Sequence, residues 1–281
     1  MNKLKLIIGI ILLFPLSSFG QKIKDLNFDI KDFQQKAKTA EWLYMYDIIA
    51  WWTTDSVILA DSTEIARLGP ERFCFQSDDN NWHAIYGKYE NDTFDLVFHY
   101  IVDTSFKVKR VDEKVDTSIL NGYSRALQTA NKHIKLHTDS INIKFNQYIR
   151  QNEDKTFDVW FFSAFQPNGW AVYGKEFILK IDKTGNKVLE DNSYYDTDFR
   201  GFEVNEPREI WINQTKFEKP TLGLVFFVWY YKKYFTYIKI NNKDYITTVI
   251  KDSDGSYVWM HYEKDKKEKK KEKKKKKKKK K

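Results

Sequence analysis

One cysteine, Cys74, stands in the whole 281-residue chain, so no internal disulfide can form. In an oxidising compartment a lone thiol must be buried, modified or paired with another chain. Cys74 sits in Arg72-Phe-Cys-Phe-Gln76, between two aromatics of an expected strand, where it reads as a small buried hydrophobe. The neighbouring base and electropositive setting that a nucleophilic cysteine needs are not evident locally. Proline and methionine are also scarce, at five and three, which excludes a low-complexity stalk. Past the first twenty residues no long apolar run exists: the most apolar stretch, Leu222–Tyr231, is stopped by Lys232 and Lys233.

The start of the chain is different. Asn2, Lys3 and Lys5 precede an apolar run from Leu6 to Leu16, and Ser17, Ser18, Phe19 and Gly20 offer small residues ahead of Gln21. That order predicts a secretory signal peptide over residues 1–20, cleaved to leave an exported protein, periplasmic or extracellular, with no membrane span. At about 1.5 Å per residue, the run is too short for a hydrocarbon core of about 30 Å.

Net charge misleads unless divided. The whole chain carries +9, but residues 264–281 hold fifteen Lys against Asp265, Glu268 and Glu272, a net of +12, leaving residues 1–263 at −3. The pI of about 9.2 therefore belongs to the tail, and net charge gives no case for specific nucleic-acid binding by the body. The tail itself is expected to be disordered, since its like charges repel and it has nothing to bury. It could contact anionic surfaces.

Periodicity organises the rest. Phe33, Ala37, Ala40, Leu43, Ile48 and Trp51 recur every three or four residues and predict a helix from about Asp32 to Trp51. Asp61 with Glu64 looks like a capping box, closed off by Gly69-Pro70. Extended segments are expected at Arg72–Gln76, Asn81–Tyr89 and Thr93–Val102, then a second helix from near Thr117 through Ile134. Ile141, Ile143 and Phe145 fit either its continuation or a new strand. Further strands are expected at Thr156–Gln166, Trp170–Asp182, Leu222–Tyr231, Tyr234–Ile240, Tyr245–Lys251 and Ser256–Tyr262, the last four as a meander, with a loop over Asn192–Asn205. The fold class is α+β: a mostly antiparallel sheet, two packing helices and a C-terminal β-meander. Residues 21–263 form one domain, or two subdomains meeting near residue 150.

No catalytic or metal signature stands out. His133 and His137 share a helix face and could share a metal, but Ile134 replaces the Glu of a zinc-peptidase motif, and Lys132 and Lys135 suggest a solvated face. No metal and no cofactor is expected. His83 and His99 lie in aromatic strands, and Asp95 and Asp158 occupy matching places in two similar segments, Thr93–Phe98 and Thr156–Phe161. Paired carboxylates can do acid–base work on a glycosidic bond if the fold brings them together. Nine Trp, seventeen Tyr and twenty-one Phe are more than a core of this size needs. Trp82, Trp170, Tyr194 and Tyr195 stand beside Asn, Gly or Ser and could form stacking platforms for a glycan or peptide. The plainer reading is that these aromatics fill the core of a Leu-poor protein.

The leader ending Ser-Phe-Gly-Gln21, with the Asn-, Lys-, Ile- and Tyr-rich body, resembles uncharacterised exported proteins of Bacteroidota. Asp55-Ser-Val57, Asp61-Ser-Thr63 and Asp139-Ser-Ile141 resemble the O-glycosylation signal of that phylum's exported proteins. The expectation is a non-catalytic, exported or envelope-associated domain contacting a glycan, a peptide or an envelope protein. The alternatives are a hydrolase assembled from His83, His99, Asp95 and Asp158, and a structural interaction module.

Overall fold

In the computed structural model, residues 28–138, 143–165, 169–195, 199–204 and 208–264 are described. The leader, Ile141, the Pro167-Asn168 turn and the Lys-rich tail after Lys264 lie outside them.

The first helix, α1 (Ile30–Ile58), begins where Asp29 accepts the Asp32 N–H at 3.1 Å and runs beyond the expected end at Trp51. Its buried stripe simply continues, through Thr53 and Val57. Asp61 caps the short α2 (Ser62–Ile65) through the Thr63 N–H, while Glu64 turns outward to an ion pair with Arg110. Strands β1 (Arg72–Gln76), β2 (Trp82–Glu90), β3 (Thr93–Val102) and β4 (Val108–Arg110) then form an antiparallel sheet. It bulges at Gly87, where a Cβ would stand 2.2 Å from the Asp95 carbonyl oxygen. Helix α3 (Thr117–Thr138) follows, and Phe145 begins a strand. β5 (Phe145–Gln151), β6 (Phe157–Ser163), β8 (Phe177–Ile181) and β9 (Val188–Asp191) make the second antiparallel sheet.

Both sheets are apolar on both faces because a helix covers each side. Phe33, Leu43, Tyr46 and Ile49 of α1 pack with Trp82 of β2 and Trp160 of β6. Leu120, Tyr123, Leu127 and Ile134 of α3 pack with Ile85 of β2 and Val159 of β6. Packing therefore runs across residue 150.

The expected long strand Trp170–Asp182 is instead two. Gly174 and Lys175 take positive φ, 111° and 44°, and turn the chain out of the sheet between β7 (Trp170–Tyr173) and β8. β7 pairs with β10 (Arg200–Glu203), a strand inside the segment expected to be loop.

Leu222–Tyr231 is the main correction. It is a helix, α4, not a central strand. A run that is apolar all round cannot be assigned by periodicity, since a fully buried helix and a fully buried strand read alike. Thr221 decides it locally, its hydroxyl accepting the Leu224 N–H at 3.4 Å as an N-cap. Val225 and Phe226 face the α1 core and Leu224, Phe227 and Val228 the third core, so α4 is the wedge between layers. Each Leu, Val or Phe so buried contributes about 1.5–3 kcal/mol. α4 also carries the chain from β11 (Glu209–Asn213) to its parallel neighbour β12 (Tyr237–Asn241), the crossover that a parallel pair requires. β12, β13 (Tyr245–Lys251) and β14 (Tyr257–Glu263) complete the expected meander. Among the described residues, no helix is long and apolar enough to cross a membrane.

Candidate functional site

The break at Gly174-Lys175 opens a cleft of about 610 Å³ between the β7–β10 ribbon, the Ser193–Tyr195 segment and the turn after β11. Small-ligand sites usually measure about 300–1,000 Å³. Four aromatic residues, Tyr173, Tyr194, Tyr195 and Phe217, line it, with Arg200 and Lys216 as the charged groups. Asn213, Gln214 and Ser193 add amide and hydroxyl groups. Ring faces with a polar rim suit a ligand that has both apolar C–H faces and hydroxyls.

Each wall is anchored. Tyr194 donates its N–H to the Glu176 carbonyl at 2.7 Å, and its ring meets Phe217 edge-on with centroids 5.5 Å apart. Lys175 Nζ holds the Tyr195 carbonyl at 3.1 Å. The Tyr195 hydroxyl donates to Asp191, which also accepts the Ser193 N–H at 3.0 Å and pairs with His133 Nε2 at 2.8 Å. Partial burial would raise the Asp191 carboxyl, but those hydrogen bonds bring it down to about 2. Partial burial and the Asp191 charge push the Tyr195 phenol up to about 12. Burial also raises Tyr173 and Tyr194, so all three phenols keep their protons at neutral pH. Gln214 Oε1 is buried without a donor among the described residues.

Of the four aromatic candidates, the structure brings Tyr194 and Tyr195 into this cleft. Trp82 is only 7% exposed and packs on Trp42, with centroids 5.4 Å apart, inside the core. Trp170 is exposed on β7, outside the cleft. Trp51, Trp52 and Trp211 are further exposed indoles, and Arg200, Lys216, Tyr173 and Phe217 are cleft residues that sequence reasoning missed. The signal for them was weak: four residues from three separated segments.

His133 and His137 do not converge on a shared metal. His133 pairs with Asp191, and the His137 ring lies 4.1 Å from that of Tyr195. Among the described residues no group of three or more His, Cys, Asp or Glu could hold a metal ion.

His83 and His99 do meet. On neighbouring strands β2 and β3, His83 Nδ1 lies 2.9 Å from His99 Nε2. His99 Nδ1 reaches the Glu113 carbonyl at 3.3 Å, and His83 Nε2 reaches Ser77 Oγ at 2.9 Å. A carbonyl only accepts, so His99 carries its proton on Nδ1 and receives one from His83 Nδ1. A neutral His83 then aims its free lone pair at Ser77. Burial lowers both imidazoles. Ser77, however, also donates to Asp79 at 2.6 Å. With the Ser77 hydroxyl also 3.1 Å from the Asn81 carbonyl, five contacts then compete for the three protons of Ser77 and two neutral imidazoles.

Asp95 and Asp158 are elsewhere, on β3 and β6 in separate sheets, ion-paired with Arg67 and Arg150 at 3.2 Å each. Both are cross-strand or strand-end charges rather than partners of the histidines.

Two carboxylates that tie elements together, Asp47 partly buried and Glu176 buried, were not anticipated. Asp47 of α1 accepts from Tyr230 at 2.8 Å, Asn146 at 2.9 Å and Tyr148 at 3.0 Å, joining α1, β5 and α4. Glu176, 4% exposed, accepts the Gly223 N–H at 2.8 Å and contacts the Thr221 hydroxyl at the start of α4. Gly223 is required there, because a Cβ would lie 2.4 Å from Glu176 Cδ.

Comparison of the chain with protein-family models, curated proteins and solved structures gives no match.

Proposed function

We propose that this is an exported binding domain that holds a saccharide in the tyrosine-lined cleft. The observation that carries the reading is the cleft itself: about 610 Å³ walled by Tyr173, Tyr194, Tyr195 and Phe217, with amides and hydroxyls among them. The sugar's C–H faces would lie against the rings, and its hydroxyls would meet Asn213, Gln214 and the phenols. Export rests on the leader-like residues 1–20 and on the resemblance to exported Bacteroidota proteins. A thermal-melt screen of the full chain against glycan fragments tests the reading, because a ligand of the folded state alone must raise the melting temperature. The expected result is a shift with at least one glycan class that Tyr194→Ala removes. No shift with any glycan, or a shift indifferent to Tyr194, refutes it.

A hydrolytic reading draws on a different observation. Ser77, His83 and His99 stand as hydroxyl, base and orienting group, at 2.9 Å in each step. Against it, the Ser77 hydroxyl already donates to Asp79. Ester hydrolysis lost in Ser77→Ala would favour it over pure binding.

A further inference from the structure

The cleft's charges run opposite to those of the protein around it. Residues 1–263 carry a net −3, yet the formal charges on the described lining are Arg200 and Lys216 alone, both cationic and both exposed. Among the described residues, the two carboxylates next to the lining are already engaged: Asp191 is taken up by Tyr195, Ser193 and His133, and Glu176 is buried against the start of α4.

The two cations are also placed to act together with the rings. Arg200 is the direct register partner of Tyr173 in the β10–β7 ribbon, so both side chains rise from the same face. Lys216 sits in the turn closed by the Phe217 N–H donating to the Gln214 carbonyl at 3.0 Å. That turn is fixed to the C-terminal sheet, where Gln214 N–H reaches the Asn241 carbonyl at 2.9 Å and Lys243 N–H the Phe217 carbonyl at 3.0 Å. No side-chain hydrogen bond or ion pair engages Arg200 or Lys216 among the described residues. A guanidinium offers two parallel N–H donors, matched to the two oxygens of a carboxylate, while an ammonium adds a point charge.

Resting on the saccharide reading above, we propose that the cleft selects an acidic saccharide, one whose sugar carries a carboxylate, with Arg200 gripping the carboxylate beside Tyr173 and Lys216 closing on it from the opposite wall. A uronic-acid oligomer has this chemistry: a carboxylate at one edge of a ring whose C–H face can lie on tyrosine. The rings supply contact area common to all sugars, and the cations supply the discrimination.

Isothermal titration of the full chain with a trigalacturonate, a neutral trisaccharide and a sulfated disaccharide tests the proposal. The lysine tail, net +12, attracts any polyanion, so the deciding comparison is between the unchanged chain and Arg200→Gln, with Lys183→Gln as the surface control. The expected result is that trigalacturonate binds at least tenfold more tightly than the neutral trisaccharide. Arg200→Gln should then weaken it tenfold or more, while Lys183→Gln leaves it unchanged. Equal binding of neutral and acidic trisaccharides, both lost in Tyr194→Ala, overturns the acidic selectivity and leaves the saccharide reading standing. Trigalacturonate binding indifferent to both Arg200→Gln and Tyr194→Ala places it on the tail and overturns the proposal. Preference for the sulfated sugar over the uronate overturns the carboxylate assignment. If none of the three binds, the proposal and the reading beneath it fall together.

Discussion

Glu176 ties the wall of the cleft to the first turn of α4, and its ionisation should be visible in the stability of the whole fold. Burial is the dominant influence on its carboxyl, lifting it from the ordinary 4.5 to about 7 despite hydrogen bonds from Thr221 and Gly223 and the nearby Lys36 charge. In the unfolded chain Glu176 ionises near 4.5, while in the fold it keeps its proton until about pH 7. Between those values the folded state holds the extra proton, so stability falls as pH rises and levels off above 7. The displacement corresponds to about 3 kcal/mol lost between pH 4.5 and pH 8. Glu176→Gln carries the neutral shape without the titration. Its difference from the unchanged protein should be below about 1 kcal/mol at pH 5 and grow to about 3 kcal/mol in its favour at pH 8, the latter roughly 6–12 °C in melting temperature for a domain of this size. Taking the difference at each pH cancels every other titrating group. Differential scanning calorimetry from pH 5 to pH 8 reads it directly. A difference that stays constant with pH, or one that favours Glu176 at pH 8, would refute a carboxyl held neutral by burial.

Other expectations follow from the same contacts. His261 lies between Phe28 and Phe33, each ring 4.3 Å away, and burial lowers it from 6.5 to about 4. Here the unfolded chain takes up a proton that the fold refuses, so stability falls as pH drops from 6.5 to 4. The loss is about 2 kcal/mol after allowing for partial solvent contact, and a His261→Phe variant should lack that acid limb in urea titrations. Asp47→Ala leaves the Tyr230, Tyr148 and Asn146 donors without their acceptor and should cost about 2–4 kcal/mol in denaturant unfolding. A loss below half a kcal/mol would mean that the three groups find other partners. Cys74 is 3% exposed and burial pushes its thiol well up. Its reaction with a disulfide reagent should therefore await unfolding, and fast labelling of the native protein would contradict the buried placement.

The chain's own pattern determined much of this protein. Both amphipathic helices, the strands Arg72–Gln76, Thr93–Val102 and Tyr245–Lys251, and the antiparallel C-terminal hairpins follow from local period and turn residues, which act within a few positions. Even Tyr194 and Tyr195 stood out, because aromatics beside Asn and Ser are visible locally. Tertiary structure decided the rest. It made Leu222–Tyr231 a helix, since a run buried on every side has no period to read, and the crossover between parallel strands needed one. It sent Trp82 into the core and kept Asp95 and Asp158 in separate sheets, because which face a strand residue takes depends on what covers the sheet. It assembled the cleft from Tyr173, Tyr194, Arg200 and Lys216, residues of four segments. No local signal links them; only the break at Gly174-Lys175 and the return of β10 onto β7 bring them together, because a binding site is a property of distances that chain order does not contain.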